Sequence, residues 1–125
     1  MSQPVMLIVE DEPLIRMCAV DFADEAGYLG LEAGDSAQAL AILERGENVE
    51  ILFTDITLPG EMDGIALAEL VAERWPLVRV MLASGALAGL PADIAPGAYR
   101  LPKPYGITQF LEAVEQMKTP SRGTT

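Results

Sequence analysis

Short apolar runs alternate with longer amphipathic stretches along this chain. Val5-Met6-Leu7-Ile8-Val9 is continuous and apolar, the pattern of a strand covered on both faces. Glu10-Asp11-Glu12 ends it, and Pro13 opens a helix with Glu12 as N-cap, because proline is tolerated at the first helical position. Leu14, Met17 and Cys18 fall at i, i+3 and i+4, which predicts them as the buried stripe of that helix, with Cys18 a small core residue and Gly27 closing it. Tyr28 to Ala33 reads as a second strand. Asp35 with Gln38 three residues on resembles a capping box, opening a helix that carries Leu40 and Leu43.

The alternation then recurs. Ile51-Leu52-Phe53-Thr54 predicts a third strand ending at Asp55, and a loop over 56–62 leads to a helix with Leu67, Leu70 and Val71 on one face, stopped by Pro76. Trp75 is expected to pack at that helix end. Val78 to Ala83 reads as a fourth strand ending at Ser84, and Tyr99-Arg100-Leu101 as a short fifth, ending at Pro102-Lys103-Pro104. Phe110, Val114 and Met117 mark the last helix, and the methionines read as core fillers. Gly85, Gly89 and Gly97 with Pro91 and Pro96 leave only a short, distorted fourth helix or a loop between the last two strands. Strand–helix alternation of this kind implies a doubly wound parallel α/β sheet, since parallel crossovers need a helix's length. One domain is expected over residues 1–118, with a polar, flexible tail over 119–125.

Composition narrows the chemistry. The 125 residues hold no histidine, which excludes imidazole bases, histidine metal ligands and a phosphohistidine on this chain. Eight Lys and Arg against nineteen Asp and Glu leave a net charge of −11, which repels nucleic-acid phosphates and anionic membranes. The longest uncharged run, Val80 to Ala92, is interrupted by Gly85, Gly89 and Pro91 and predicts no membrane span. The apolar run near the N-terminus lacks a basic flank, so no export signal is expected. A single cysteine fits a reducing cytoplasm.

In open parallel sheets, ligands bind beyond the carboxyl ends of the strands. At those ends stand Glu10 and Asp11, Asp55, Ser84 and Lys103. Carboxylates brought together repel one another, and a hard divalent cation such as Mg²⁺ relieves that repulsion. Asp55, kept ionised, can attack a phosphorus centre, while Lys103 answers the charge on the transferring oxygens and Ser84 donates a hydrogen bond. Glu10 is expected to support the ligands from outside rather than be one, and Glu12, Glu61 and Asp63 to be loop solvation.

These residues carry a resemblance. Ile8-Val9-Glu10-Asp11, Phe53-Thr54-Asp55 with Leu58-Pro59 and Met62-Asp63-Gly64, then Ala83-Ser84-Gly85 and Lys103-Pro104-Tyr105 together resemble a response-regulator receiver domain of two-component signalling, over essentially the whole chain. The resemblance implies a flavodoxin-like five-stranded sheet in the order 2-1-3-4-5. It implies Asp55 as phosphoacceptor and Mg²⁺ held by Asp11, Asp55, the Thr57 backbone carbonyl and water on Glu10. Ser84 and Lys103 then contact the phosphoryl group and couple it to a conformational shift. The implied phosphodonor is a sensor histidine kinase, of the HWE type on the Leu58-Pro59-Gly60 loop, the Ala83-Ser84-Gly85 turn and Lys103-Pro104-Tyr105, which resemble single-domain regulators serving such kinases, or a phosphotransfer protein. No nucleic-acid or membrane partner is expected, and the chain would act as a monomer or a phosphorylation-dependent dimer, without enzymatic turnover of a separate substrate.

Three features depart from the receiver pattern: one additional residue between Asp55 and Gly64, a short Ser84–Lys103 interval, and Arg100 where many receivers carry a switch aromatic. Two other readings compete. An unphosphorylated pseudo-receiver adaptor would use the same fold. A haloacid-dehalogenase-type phosphohydrolase would need a second acid two residues after Asp55, where Thr57 stands.

Overall fold

The computed structural model describes residues 3–85 and 89–118. The polar tail expected over 119–125 lies outside the described residues. In chain order the elements are β1 (Val5–Val9), α1 (Pro13–Glu25), β2 (Leu29–Ala33), α2 (Ser36–Glu44), β3 (Val49–Asp55), α3 (Gly64–Arg74), β4 (Arg79–Ser84), β5 (Tyr99–Pro102) and α4 (Ile107–Lys118). The strands form one parallel sheet in the order β2-β1-β3-β4-β5. No described helix is long and apolar enough to cross a membrane.

Alternation along the strands divides the apolar side chains between two cores. Leu7, Val9, Leu52 and Leu82 face α2 and α3, meeting Ala39, Ile42, Leu43, Leu67 and Val71. Met6, Ile8, Phe53, Met81 and Leu101 face α1 and α4, meeting Ala19, Ala23, Phe110 and Val114. Both faces of β1 are covered, so it reads as an unbroken apolar run rather than an alternating one. On the second face Phe22, Phe53, Tyr105 and Phe110 pack mainly edge to face, with centroids 5.4–6.2 Å apart. Each such ring contributes roughly 1.5–3 kcal/mol through burial, which anchors the β5–α4 turn against β3.

The expected stripe of α1 is corrected. Its buried residues are Ala19 and Ala23, whereas Leu14 (71% exposed) and Met17 (57%) face outward and Cys18 is exposed. The alanines let the helix backbone approach the sheet closely, and the large residues fall on the opposite side. Met17 is thus no core filler, although Met6, Met81 and Met117 are buried. The caps follow expectation more closely. Glu12 accepts from Leu14 N, and Asp35 from Gln38 N at 2.9 Å, but the Gln38 side chain turns to Gly34 N rather than back to Asp35. Trp75 is the C-cap of α3, half-buried, with the Arg74 guanidinium 4.4 Å over its ring.

Between β4 and β5 the expected short or distorted fourth helix falls partly on residues 86–88, which lie outside the described residues; Gly89 beside them is in a 3₁₀ turn, and no further helix follows among the described residues before β5. Residues 90–98 run through turns, closed by Ile94 N to Pro91 O at 3.2 Å and Ala98 N to Ala95 O at 3.0 Å. Gly89, Pro91, Pro96 and Gly97 disfavour continuous helix, and Ala95 adopts φ +46°. Arg100 organises this stretch. Its guanidinium donates to the carbonyls of Leu90 (2.8 Å), Pro91 (2.6 Å) and Ile94 (3.0 Å). A rigid fork of donors suits three converging acceptors. Replacing Arg100 by Ala should cost about 2 kcal/mol, the scale of hydrogen bonds from a charged donor, and lower the thermal midpoint. Arg100→Lys should recover only part of the loss; an Arg100→Ala protein melting at the wild-type temperature would remove the clasp from the account.

Candidate functional site

The parallel register brings four chain segments to one end of the sheet. Asp55 closes β3 opposite Ala83 of β4, and Ser84 closes β4 opposite Pro102 of β5. Glu10 and Asp11 follow β1 directly, and the Glu10 N–H donates to Ala33 O at the end of β2. The C-terminal ends of five strands therefore face a shared crevice, as parallel topology requires.

Carboxylate oxygens of Glu10, Asp11 and Asp55 lie within 4.8 Å of one another. Glu10 is buried, Asp55 half-buried and Asp11 exposed. Lys103 reaches into this group, with Nζ 2.9 Å from Asp55 Oδ2 and 3.5 Å from Glu10 Oε1. The remaining oxygens are partly engaged by backbone: Glu12 N donates to Glu10 Oε2 at 3.0 Å, and Thr57 N to Asp55 Oδ1 at 3.3 Å. Ser84 is buried at the strand end, and its carbonyl accepts from Lys103 N at 3.0 Å, tying these two candidate residues together through the main chain.

The geometry thus gathers Glu10, Asp11, Asp55 and Lys103 into contact range, with Thr57 beside Asp55 and Ser84 one register step away. Three carboxylates and one ammonium leave excess negative charge in a small volume. Hard oxygen donors of this kind match the ligand preference of a hard divalent cation.

Amino-acid comparison bears on the same residues. A profile of the response regulator receiver domain matches residues 6–115. The chain belongs to the response-regulator receiver family. It is 34% identical over 115 residues to the response regulator receiver protein CpdR of Brucella abortus (strain 2308), covering 90% of this chain and 94% of that protein. It is also 36% identical over 118 residues to the sensor kinase CckA of the same organism, covering 90% of this chain but only 12% of CckA. The receiver domain of the hybrid histidine kinase CckA superposes with a TM-score of 0.73 at 33% identity, covering 90% of this chain and 96% of that one. A CheY-like receiver from Methanospirillum hungatei JF-1 shares the fold, with a TM-score of 0.84 at 24% identity over 99% of this chain and 100% of that one.

Within this receiver, local structure explains how Asp55 is held. Leu58 is buried against the α2–α3 core, and buried Ser36 donates from Oγ to Met62 O at 2.8 Å, so both ends of the longer β3–α3 loop are fastened. Gly60 takes φ +93° and absorbs the turn. Asp63, expected only to solvate the loop, caps α3 by accepting from Ala66 N at 2.9 Å.

Gly64 has a role that the Met62-Asp63-Gly64 motif alone does not reveal. A Cβ there would sit 1.8 Å from the Asp55 carbonyl oxygen. Only glycine lets the first residue of α3 come so close that its N–H donates to Ile56 O at 2.7 Å. The signal available beforehand was a glycine opening a helix, which by itself does not identify the backbone it touches.

Electrostatics follow from burial. Desolvation raises the Glu10 pKa above the ordinary glutamate value, outweighing the Glu12 N–H and Lys103 that pull it down. For Lys103, desolvation pulls down, but the Asp55 hydrogen bond and the charges of Asp55 and Glu10 together win, so its pKa is raised. Tyr105 is raised strongly, first by burial and then by the charges of Glu10 and Asp55.

A glutamate whose pKa is higher folded than unfolded binds more protons in the native state. Its ionisation therefore subtracts stability as pH rises through the carboxylate range. Without divalent ions, Glu10→Gln should melt higher than wild type at neutral pH, with the gap closing on acidification below that range. Thermal melts across pH check this, and a lower-melting Glu10→Gln protein at neutral pH would contradict it.

Proposed function

We propose that this receiver accepts a phosphoryl group on Asp55 from a sensor histidine kinase, of HWE type, or from a phosphotransfer protein, and signals in the cytoplasm through protein contacts. The observation that carries the reading is Lys103 Nζ lying 2.9 Å from Asp55 Oδ2 with the Glu10 and Asp11 carboxylates beside it. An ionised Asp55 attacks phosphorus with one carboxylate oxygen. The oxygen–phosphorus bond forms as the bond to the donor's imidazole nitrogen breaks, and the electron pair leaves with that nitrogen. Lys103 meets the negative charge on the phosphoryl oxygens, and Ser84 Oγ donates to one of them.

Asp11, Asp55, the Thr57 carbonyl and water on Glu10 would hold Mg²⁺, which supplies charge neutralisation between carboxylate and phosphoryl oxygens. Because the 125 residues hold no histidine, the donor imidazole lies outside them. The chain changes only itself, so its chemistry is phosphoacceptance and hydrolysis of its own acyl phosphate.

The exposed apolar face of α1 supports a place for that donor. Leu14, Ile15, Cys18 and Phe22 with Pro104 and Tyr105 line a cleft of about 560 Å³ that also includes Lys103. A donor presenting its histidine to Asp55 would cover these side chains, which otherwise stand in water at a cost of roughly 25 cal/mol per Å².

One labelling experiment tests both parts. With Mg²⁺ and a small acyl phosphate, wild type should gain one phosphoryl group and Asp55→Asn none. Leu14→Glu should label normally from the small donor but at least about tenfold more slowly from the cognate kinase. Wild-type labelling of Asp55→Asn would overturn the phosphoacceptor assignment; an unimpaired Leu14→Glu in the kinase reaction would overturn the docking face alone.

A further inference from the structure

We propose that Arg16 is a positioning residue for the cation site, setting the orientation of the peptide that joins Glu10 to Asp11. This inference rests on the reading of Glu10, Asp11 and Asp55 as the cation-binding acids. Arg16 lies in the second turn of α1, and its side chain is 22% exposed. From there Nη1 donates to the Glu10 carbonyl at 2.7 Å, while Nε donates to Glu32 Oε1 on β2 at 3.0 Å. The guanidinium spans the β1–α1 loop and the neighbouring strand with two different nitrogens, so its plane is fixed at both ends.

The carbonyl it holds belongs to the peptide unit between the two acids. On the other side of that residue, Glu10 N is fixed to Ala33 O at 3.0 Å, and the Glu10 side chain receives Glu12 N at 3.0 Å. Glu10 is thus pinned at its N–H, its carbonyl and its carboxylate. Asp11 is different, since its side chain is exposed and gains no position from packing. Where its carboxylate points depends on the backbone that launches it, and Arg16 holds that backbone. Mg²⁺ demands near-ideal octahedral geometry and tolerates little displacement of its ligands. Groups that orient ligands from outside the coordination sphere control metal affinity in the same way.

Arg16 also adds a positive charge beside the acid-bearing loop, bonded to its main chain rather than to the Glu10, Asp11 or Asp55 carboxylates. Lys103 is the cation that contacts the carboxylates themselves, those of Asp55 and Glu10. A cation or phosphoryl group meeting Asp55 and Glu10 competes with Lys103, whereas Arg16 bonds to the Glu10 carbonyl and Glu32 and to none of the three carboxylates.

Titration calorimetry of MgCl₂ into the full chain tests the proposal, using wild type, Arg16→Ala, Arg16→Lys and Glu32→Gln, each first checked for cooperative melting in chelator. Arg16→Ala should weaken Mg²⁺ binding about tenfold, as loss of a ligand-orienting partner typically does. Arg16→Lys should recover part of the affinity, because an ammonium can reach the Glu10 carbonyl but cannot fork to Glu32. Glu32→Gln should fall between wild type and Arg16→Ala. Wild-type affinity in a folded Arg16→Ala overturns the inference while leaving the acid site intact. Should Arg16→Ala not fold, Arg16→Lys decides: weakened binding supports the proposal and unchanged binding overturns it. Failure of the wild type to bind Mg²⁺ overturns the cation site and this inference together.

Discussion

Mutual repulsion among Glu10, Asp11 and Asp55 is the constraint around which this receiver is arranged. Two unit charges about 4 Å apart repel by about 1 kcal/mol in water and about 4 kcal/mol in the polarity typical of a protein surface. Three carboxylates with oxygens inside 4.8 Å therefore resist being held together. A single ammonium, Lys103, opposes them, and it bonds to only two. The residual negative charge suits the crevice to a hard cation, as the proposed function requires.

Holding such a cluster requires rigid support that comes from elsewhere in the molecule. The two dry cores fix the strand ends from which the acids project. The glycine opening α3 lets that helix press against the Asp55 carbonyl, and Ser36 and Leu58 fasten the loop beyond. Phe53, Phe110 and Tyr105 pack beneath the Lys103 turn. Two arginines complete the support at opposite edges, Arg16 on the β1–α1 loop and Arg100 on the stretch before β5. Where many receivers carry an aromatic side chain free to change its position, Arg100 is tied to three carbonyls, so a shift of this segment on phosphorylation would have to break or carry that clasp.

The strand ends were legible because buried parallel strands are short apolar runs, and the first polar residue after each run marks the crevice. Asp55, Glu10, Asp11 and Lys103 were readable in this way, and the geometry places all four together. The face of α1 was not. Leu14, Met17 and Cys18 satisfy helical spacing as well as Ala19 and Ala23 do, and their larger side chains dominate any reading by hydrophobicity. The sheet instead selects the small residues, which permit close packing. Arg16 and Arg100 left no periodic trace, because a long side chain reaches partners unrelated to its sequence spacing. The β4–β5 connection was legible as irregular from its glycines and prolines, but the donor that organises it was visible only in three dimensions.

The most direct test is a Mg²⁺ titration of the full chain followed by nuclear magnetic resonance at assigned residues. The account predicts saturable shifts at Glu10, Asp11, Asp55 and Thr57, with smaller ones at Ser84 and Lys103, and none of comparable size at the outlying acids Glu44, Glu69 and Glu73. Unsaturated shifts spread over the acidic surface, with residues 10, 11 and 55 no different from the rest, would contradict it.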